Sequence, residues 1–366
     1  MMSSQDVGTP TLRHMKGRGA LSNRDGRFER ATHVDVDDGW FHEEEAASTQ
    51  TRFLIDASRS VITYNTSPDV PFDRSINPYR GCEHGCIYCF ARPTHTYLGF
   101  SAGLDFETRI LYKPNAARLL TQELSSRAYA CAPIALGVNT DAYQPAEEKF
   151  GLTRALLQTL SDCHHPVTIV TKSSLVVRDI DILASMARRG LVLVNISITT
   201  LDPQLKKIME PRASAPSKRL RTLNELADAG IPVGVMVAPV IPAVNDAELE
   251  RIVEQAAENG ATHASYVLLR LPHELRDLVK EWLQLHFPLK VQHVLNMIES
   301  TRGGSLYDST FGQRMRGTGS YAGMIQQRFD LICKRLRLNQ ERVQLRTDLF
   351  CKPARNGQLS LFGHDA

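Results

Sequence analysis

Residues 77–90 read NPYRGCEHGCIYCF, which places Cys82, Cys86 and Cys89 within a span of eight residues. The cysteines are separated by three and then two residues, and Gly81 and Gly85 allow the chain around them to turn tightly. A cubane iron–sulfur cluster has four irons and is commonly held by four thiolates. Three cysteines on one short loop therefore predict a [4Fe–4S] cluster whose fourth iron is open to a small-molecule ligand.

The composition of the chain restricts the alternatives. It has 366 residues, of which 42% are hydrophobic and 23% charged, as is ordinary for a soluble globular protein. Its seven cysteines are odd in number and unevenly spread, which argues against a disulfide scaffold. No apolar run approaches the ~20 residues that span a bilayer, and the N-terminal region lacks the apolar core of a signal peptide. We therefore expect a cytoplasmic protein with no membrane partner.

A structural zinc site is an alternative for the three cysteines. His84 or His95 would then supply the fourth ligand. Zinc sites usually combine a C-x2–4-C motif with a second pair of ligands far along the chain. We favour the cluster for this reason, while a zinc-binding interaction module without enzymatic activity stays open.

Short apolar segments alternate with helical patterns along most of the chain. The predicted strands are Ser75–Tyr79, Ile134–Val138, Val167–Thr171, Leu191–Thr199, Val233–Val237 and His263–Leu269. The predicted helices are Glu148–Leu160, Leu175–Arg189, Ser217–Ala229, Asp246–Asn259 and Glu274–Leu285. This alternation predicts a parallel sheet, and about six units in series favour an α/β fold of the partial (β/α)6, TIM-like barrel type. The chemistry of such barrels lies at the carboxyl ends of the strands.

We expect the chain to be organised in four parts. Residues 1–52 are polar and lack periodicity, which predicts a disordered or loosely docked arm. Residues 53–287 carry the barrel, residues 288–350 form a helical C-terminal extension, and residues 351–366 form a flexible tail.

The cysteine spacing and the strand–helix series resemble the radical S-adenosylmethionine (SAM) superfamily over roughly residues 74–271. The resemblance implies that the amino and carboxylate groups of SAM chelate the open iron. It further implies that one electron, from a donor such as flavodoxin or ferredoxin, cleaves the sulfonium and yields a 5′-deoxyadenosyl radical. Tyr88, the aromatic residue before the last cysteine, is expected near the adenine.

Polar side chains at the ends of the predicted strands occupy positions that relatives use to hold SAM. The resemblance implies Asn139, Thr140 and Asp141 for the amino group, Lys172 and Arg212 for the carboxylate, and Ser197 and Thr199 for the ribose. Lysine suits the carboxylate as a compact charge, although a surface lysine is the alternative. Residues 139–141 could equally form a turn rich in asparagine and aspartate. Alternation with a period of two puts Ser197 and Thr199 on one face of their strand. No residue is assigned a catalytic role.

One branch of the superfamily shares further segments with this chain. The motif Arg-Gly-Cys-x3-Cys-x-Tyr-Cys, with Thr171-Lys172-Ser173 and Glu210-Pro211-Arg212, resembles the spore photoproduct lyase or DNA repair photolyase branch. The resemblance implies a nucleic-acid substrate. Spore photoproduct lyase quenches its product radical with a cysteine at the end of its second strand, where this chain has residues 138–141, VNTD. This departure puts the lyase reaction in doubt, and a peptide or small metabolite stays open as the substrate.

Two features outside the barrel also favour a nucleic-acid context. Arg302, Arg314 and Arg316 lie among glycines, as in flexible segments that follow phosphates, although a solvated loop has the same composition. The tail carries Gln358, Leu359, Leu361 and Phe362 in the order QLSLF. This resembles the short motif by which bacterial DNA-repair proteins dock on the replicative sliding clamp. An extended peptide of this kind places its leucine and phenylalanine in an apolar pocket.

Overall fold

The computed structural model describes residues 15–29, 50–341 and 343–353. The strands within these residues are β1 Arg52–Ile55, β2 Ile62–Tyr64, β3 Arg74–Ile76, β4 Tyr79–Arg80, β5 Arg109–Tyr112, β6 Ile134–Leu136, β7 Val167–Thr171, β8 Val192–Ser197, β9 Val233–Val240 and β10 His263–Leu268. The α-helices are α1 Asp105–Thr108, α2 Ala116–Leu124, α3 Ala146–Phe150, α4 Leu152–Asp162, α5 Ile180–Arg188, α6 Pro203–Met209, α7 Pro216–Asp228, α8 Leu249–Glu258, α9 Leu275–His286, α10 Val291–Ser300 and α11 Gly319–Arg335. Short 3₁₀ helices cover Arg92–Leu98, Ser174–Asp179 and Asp246–Glu248.

Six parallel strands form the body of the main sheet. Their spatial order is β3-β6-β7-β8-β9-β10, and β2 adds an antiparallel strand at the β3 edge. Within the described residues the two edge strands do not pair with each other, so the sheet is an open, partial barrel. The partial (β/α)6 fold predicted from the sequence is confirmed.

Apolar, β-branched runs explain where the parallel strands lie. β7 reads VTIVT and pairs with VLVNIS of β8, with Val167 opposite Val192. Side chains such as Ile169, Val194 and Val235 are completely buried. Helices on the outer side supply the second layer that such a sheet needs. The strand predicted at Val167–Thr171 has the predicted bounds.

Several predicted elements are divided in the structure. The strand predicted at Ser75–Tyr79 is split into β3 and β4 around Asn77 and Pro78. The helix predicted at Glu148–Leu160 is divided into α3 and α4 by Gly151, whose φ of +61° ends the first helix. β4, β5 and β1 form a separate three-stranded sheet beside the cysteine loop, which the sequence analysis did not predict.

The C-terminal helices pack onto the barrel. Phe329 of α11 contacts the ring of Tyr266 on β10 at 4.8 Å between centroids, and Arg328 pairs with Glu250 of α8. Trp282 of α9 is buried, and its indole N–H donates to the carbonyl of Ile208 at 3.0 Å. The helical C-terminal extension predicted for the fold is confirmed. No helix within the described residues combines the length and apolarity that crossing a bilayer requires.

Candidate functional site

The cysteine loop begins directly after β4 and depends on two glycines. Gly81 and Gly85 have φ values of +79° and +66°, which side-chain-bearing residues rarely adopt. A Cβ on Gly81 would lie 2.9 Å from the carbonyl oxygen of Phe106, and one on Gly85 would lie 2.7 Å from the carboxylate of Glu107. The loop is therefore closely packed from outside, and its curvature requires both glycines.

A buried ion pair holds one side of the loop. Arg92 is completely buried and donates to the carbonyls of Cys86, at 2.9 Å, and Gly85, at 3.2 Å. Its guanidinium also pairs with Glu107, which is equally buried. An isolated buried charge is costly, so each partner needs the other. The pair therefore fixes the backbone at the middle cysteine.

Gln144 holds the opposite side of the loop. Its side-chain oxygen accepts from the N–H of Glu83 at 2.9 Å, and its amide donates to the carbonyl of Gly81 at 3.1 Å. Gln144 is completely buried. The loop is thus held by side chains on both flanks, although neither Gln144 nor Arg92 lies within the cysteine motif.

The segment at residues 15–29 covers the loop from a third direction. The N–H groups of Gly19 and Ala20 donate to the Glu107 carboxylate at 3.0 and 2.8 Å. A Cβ on Gly19 would lie 1.8 Å from the carbonyl oxygen of Gly85. The sequence analysis did not predict this contact, because it assigned the region to a disordered or loosely docked arm. The rest of that arm up to residue 49 lies outside the described residues.

The three thiols lie in a water-poor environment. Burial raises the pKa of the Cys82 and Cys89 thiols above the ordinary value. It raises the pKa of the Cys86 thiol to about 12. Burial therefore favours neutral thiols, and binding a metal would release their protons. Within the described residues, no three His, Cys, Asp or Glu side chains are gathered to hold a single metal ion. A cubane makes a different demand, since each cysteine binds its own iron at a separate corner.

The two histidines considered as zinc ligands have other contacts. His84 Nδ1 lies 3.3 Å from the carboxylate of Asp141, and His95 Nε2 lies 3.0 Å from the carbonyl oxygen of Arg109. Within the described residues, neither histidine joins the cysteines in a group of three or more ligands that could hold a single metal ion. The donor set on this loop is three thiols and fits a cluster with one iron not bound by the protein.

Asp141 links the ends of two strands to the cysteine loop. Its carboxylate accepts from Thr171 Oγ at 2.7 Å and from the N–H of Lys172 at 2.8 Å, and it faces His84. Burial alone would raise its pKa, but His84 and these hydrogen bonds hold it at about 2. The Asp141 carboxylate therefore has partners within the protein, although it was predicted to hold the amino group of SAM.

The neighbouring predicted positions are also partly occupied. The N–H groups of Asn139 and Thr140 donate to Asn77 Oδ1 at 2.9 and 3.3 Å, and Thr140 Oγ donates to the carbonyl of Tyr79 at 2.6 Å. The side chain of Asn139, which is half-buried, has no hydrogen-bond partner among the described residues. Of the three residues predicted to hold the amino group, Asn139 has the most available side chain.

A buried polar cluster lies next to Cys86 at the carboxyl ends of β7 and β8. Tyr88 donates its hydroxyl to Glu210, and Thr199 Oγ donates to the same carboxylate at 2.7 Å. Lys172 Nζ lies 5.8 Å from the centre of the Tyr88 ring. Burial would raise the pKa of Glu210, but Arg219 and Lys172 hold it at about 2. The structure thus brings together three predicted positions, Tyr88, Lys172 and Thr199.

Glu210 and Arg219 were missed by the sequence analysis. They form an ion pair in which both side chains are essentially inaccessible. Glu210 lies in the Glu-Pro-Arg segment, but the motif was interpreted through its arginine. The sequence gives no signal for Arg219, which lies nine residues further on in α7 and is directed inward.

The remaining predicted positions lie at the margin of this cluster. Ser197 Oγ donates to the carbonyl of Ala238 at 3.4 Å. Arg212 donates to the carboxylate of Glu83 at 2.6 Å, and its side chain is about one-third exposed. Arg212 is therefore engaged with the cysteine loop itself. The tail positions Gln358, Leu359, Leu361 and Phe362 lie outside the described residues.

Comparisons with known proteins agree with this geometry. A family model described as the radical SAM superfamily matches residues 76–256. An uncharacterized protein of Mycobacterium tuberculosis is 38% identical over 221 residues, which are 60% of this chain and 65% of that protein. An uncharacterized protein of Methanocaldococcus jannaschii is 30% identical over 174 residues, or 47% of this chain and 62% of that protein. The chain thus matches less than two thirds of the length of these relatives.

A solved structure shares the fold. Spore photoproduct lyase complexed with dinucleoside spore photoproduct has a TM-score of 0.55 and a sequence identity of 16%, and the superposition covers 78% of this chain and 79% of the other. At this identity the similarity concerns the fold alone.

Proposed function

Because residues 76–256 of this chain belong to the radical SAM superfamily, we propose that the protein is a radical enzyme that binds a [4Fe–4S] cluster through Cys82, Cys86 and Cys89. When bound, such a cluster supplies the electron that cleaves the sulfonium bond of SAM. The contribution of the chain is to hold the cluster, to orient SAM beside it and to exclude water.

The observation that carries this proposal is the fixation of the cysteine loop at the carboxyl edge of the parallel sheet. Arg92 and Glu107 hold one flank, Gln144 holds the other, and a buried polar cluster adjoins Cys86. A loop that served only to bind zinc would not need a buried polar cluster next to one of its thiols. Polar side chains placed in this way suit a polar cofactor that has to lie beside the iron–sulfur cluster.

We assign SAM-binding roles to residues in and around that polar cluster. Lys172 supplies a positive charge for the carboxylate, and Tyr88 borders the adenine. Ser197 and Thr199 offer hydroxyls to the ribose. Asn139, with a half-buried and unpaired amide, is the best placed of residues 139–141 to accept from the amino group. Arg212, at the edge of the polar cluster, supports the site through its hydrogen bond to Glu83 of the cysteine loop.

Metal analysis of protein purified and reconstituted without oxygen tests this proposal. We expect about four irons and four sulfides per chain, with a broad brown absorption band. Cys86→Ala is expected to lose the band, whereas Cys333→Ala, at a buried cysteine of α11 remote from the loop, keeps it. Colourless protein that holds one zinc and no sulfide would refute the assignment.

We propose a nucleic acid as the substrate. The Arg-Gly-Cys and Glu-Pro-Arg segments and the fold shared with spore photoproduct lyase support this choice. The thymine-dimer reaction of that enzyme is not proposed, because the end of β6 carries residues 138–141, VNTD, in place of a cysteine. Cys131 precedes β6 and lies at the opposite, amino end of the strand. A peptide or small metabolite is the alternative substrate class.

A basic cavity beside the loop supports an acidic electron donor such as flavodoxin or ferredoxin. The cavity of about 620 Å³ is bordered by His84, and its cationic lining residues are Arg178, Arg212, Lys218 and Arg221. Glu148 and Glu225 are its acidic lining residues. Arg178 and Arg212 pair with buried carboxylates behind the lining, so Lys218 and Arg221 are the cations that face an incoming partner. Complementary charge speeds such encounters.

We also propose that the QLSLF segment at residues 358–362 docks on a bacterial sliding clamp. Leu361 and Phe362 would fill an apolar pocket and Gln358 would bond its rim, with Leu359 between them. The clamp should co-purify with the full chain and not with a Leu361→Ala, Phe362→Ala double variant. Recovery of the clamp in equal amounts with both proteins would refute docking through this segment.

A further inference from the structure

Two aromatic rings and one guanidinium meet beside the cysteine loop. Phe90 directly follows Cys89, and 46% of its surface is exposed. The guanidinium carbon of Arg270 lies 5.6 Å from the centre of the Phe90 ring and 5.9 Å from that of Tyr307. Arg270 follows β10, so it lies at the carboxyl edge of the sheet, as the loop does. We call these three residues the Phe90 patch.

Arg270 lacks an acidic partner within the part of the chain that the structure describes. No carboxylate of the described residues pairs with it, and its one hydrogen-bond contact is from Nη1 to Met315 Sδ at 3.4 Å. Its Nε is buried and without a hydrogen-bond partner among those residues. Burial and then the charge of Arg270 lower the pKa of the neighbouring Arg302, so two cations lie close together. A buried donor and an uncompensated charge both favour an anionic ligand at this position.

The other arginines of this region have structural partners. Arg302 is buried and donates to the carbonyls of Leu268 and Leu269 at 3.3 and 3.0 Å. Arg314 forms a bidentate pair with Asp69. A flexible segment that follows phosphates was one of two interpretations of these residues, beside a solvated loop. Both guanidinium groups instead have partners within the protein.

Arg316 has a packing role as well. Its guanidinium carbon lies 3.9 Å from the ring centre of Tyr266. Arg270 differs from these three arginines because it combines a buried Nε, without a partner among the described residues, with two aromatic neighbours beside the cysteine loop.

We infer that the Phe90 patch binds one nucleotide of an unpaired nucleic-acid strand, with its base packed against both Phe90 and Tyr307 and a phosphate bound by Arg270. The inference rests on the proposed function and names the part of the site that receives the substrate. Every base has a π-face that stacks on an exposed aromatic ring, and a guanidinium binds a phosphate in bidentate geometry. Because Phe90 adjoins Cys89, a nucleotide held here lies next to the cluster loop.

Anisotropy of fluorescein-labelled oligonucleotides tests the inference on the full, reconstituted protein. One probe is a twelve-residue oligothymidylate, and the other is an abasic strand of the same length. Arg270→Gln should weaken binding of both probes about tenfold and lower the salt slope by about one. Tyr307→Ala and Phe90→Ala should each weaken binding of the thymidylate about tenfold and leave the abasic strand nearly unchanged.

Two controls keep the outcome specific. Arg251→Gln removes an exposed arginine of α8 and should bind both probes as the wild type does. Because Phe90 adjoins Cys89, the binding result for Phe90→Ala is used only if that variant keeps the brown absorption band. If the band is lost, Tyr307→Ala, which lies outside the cysteine motif, provides the test of base stacking.

The outcomes separate this inference from the proposed function. Wild-type binding by Arg270→Gln and Tyr307→Ala overturns the Phe90 patch, even where reduced protein cleaves SAM. Wild-type protein that cleaves SAM and binds neither probe overturns it in favour of a peptide or metabolite substrate. Failure of SAM cleavage with the expected variant effects on binding would instead contradict the proposed function.

Discussion

Several polar residues of the site are bound by other groups of the protein, and these contacts place the residues that we assign to SAM. Asp141 and Glu210 are both buried carboxylates whose pKa is held at about 2 by cationic and hydrogen-bonding neighbours. Each joins segments that are distant along the chain, and each lies next to a position assigned to SAM. Tyr88 and the backbone of Lys172 are therefore held by partners that lie outside the cysteine motif. Preorganised polar groups of this kind cost little rearrangement when a ligand binds.

A buried histidine far from the cysteine loop makes stability depend on pH. His165 is completely buried, its Nε2 lies 2.7 Å from the hydroxyl of Tyr129, and its ring packs edge-on against Phe350. Burial lowers its pKa from 6.5 to about 4. Between these values the unfolded chain binds a proton that the folded chain does not, so the free energy of unfolding falls as the pH drops from 6.5 towards 4.

We predict that the stability advantage of wild type over His165→Gln shrinks by about 2 kcal/mol between pH 7 and pH 5. Urea unfolding of both proteins at the two pH values measures it. The packing lost in the variant is the same at both, so it cancels in the comparison. An advantage that stays constant or grows at pH 5 would show that His165 is not buried in its neutral form.

At the scale of elements, the segment at residues 15–29 acts as a third support of the cysteine loop. Gly19 passes so close to Gly85 that no side chain fits between them. The segment also reaches α9, where Arg24 pairs with Glu281 at 2.6 Å. Displacing it would expose the loop to water and oxygen while leaving the sheet intact.

Gly19→Val is therefore expected to lower the iron and sulfide retained per chain after desalting, roughly by half or more, because the new Cβ would collide with the Gly85 carbonyl at 1.8 Å. Its far-UV circular dichroism should match the wild type. Gly323→Val is the matched control, since a Cβ at Gly323 in α11 meets no atom within 4 Å. Full cluster retention in the Gly19 variant would mean that the segment does not support the loop.

The sequence predicts those parts of the site that are contiguous along the chain. The three cysteines, the glycines between them and strands such as Val167–Thr171 all produce local signals. Glu107 and Gly19 are 88 residues apart, and Glu210 and Tyr88 are 122 apart. No local sequence pattern identifies such pairs, because each of these residues lies in a segment whose sequence is also typical of a solvated loop or helix.

Short strands were missed for a related reason. β1 and β5 have four residues each, and β1 is largely exposed. Half-exposed strands of this length do not show an apolar run, and the alternation in so few residues is weak. Their pairing places β4 and the entrance to the cysteine loop, so the geometry of the site required the three-dimensional structure.

At the scale of the whole molecule, the barrel and the C-terminal helices bring the cluster loop and the Phe90 patch to one edge of the sheet. The loop follows β3, the first parallel strand, by way of β4, and Arg270 follows the last parallel strand. Phe90 of the loop region nevertheless contacts Arg270, so the two ends of the sheet meet at its carboxyl edge, where the chemistry of such barrels lies. The division into arm, barrel, extension and tail stays a prediction.

The most direct test of the account is the yield of 5′-deoxyadenosine from anaerobically reconstituted protein that is reduced with dithionite in the presence of SAM. We predict that wild-type protein and the Cys333→Ala control form 5′-deoxyadenosine, and that Cys82→Ala, Cys86→Ala and Cys89→Ala each form none above background. Wild-type protein that carries a full complement of iron and sulfide and still yields no 5′-deoxyadenosine would contradict the central claim.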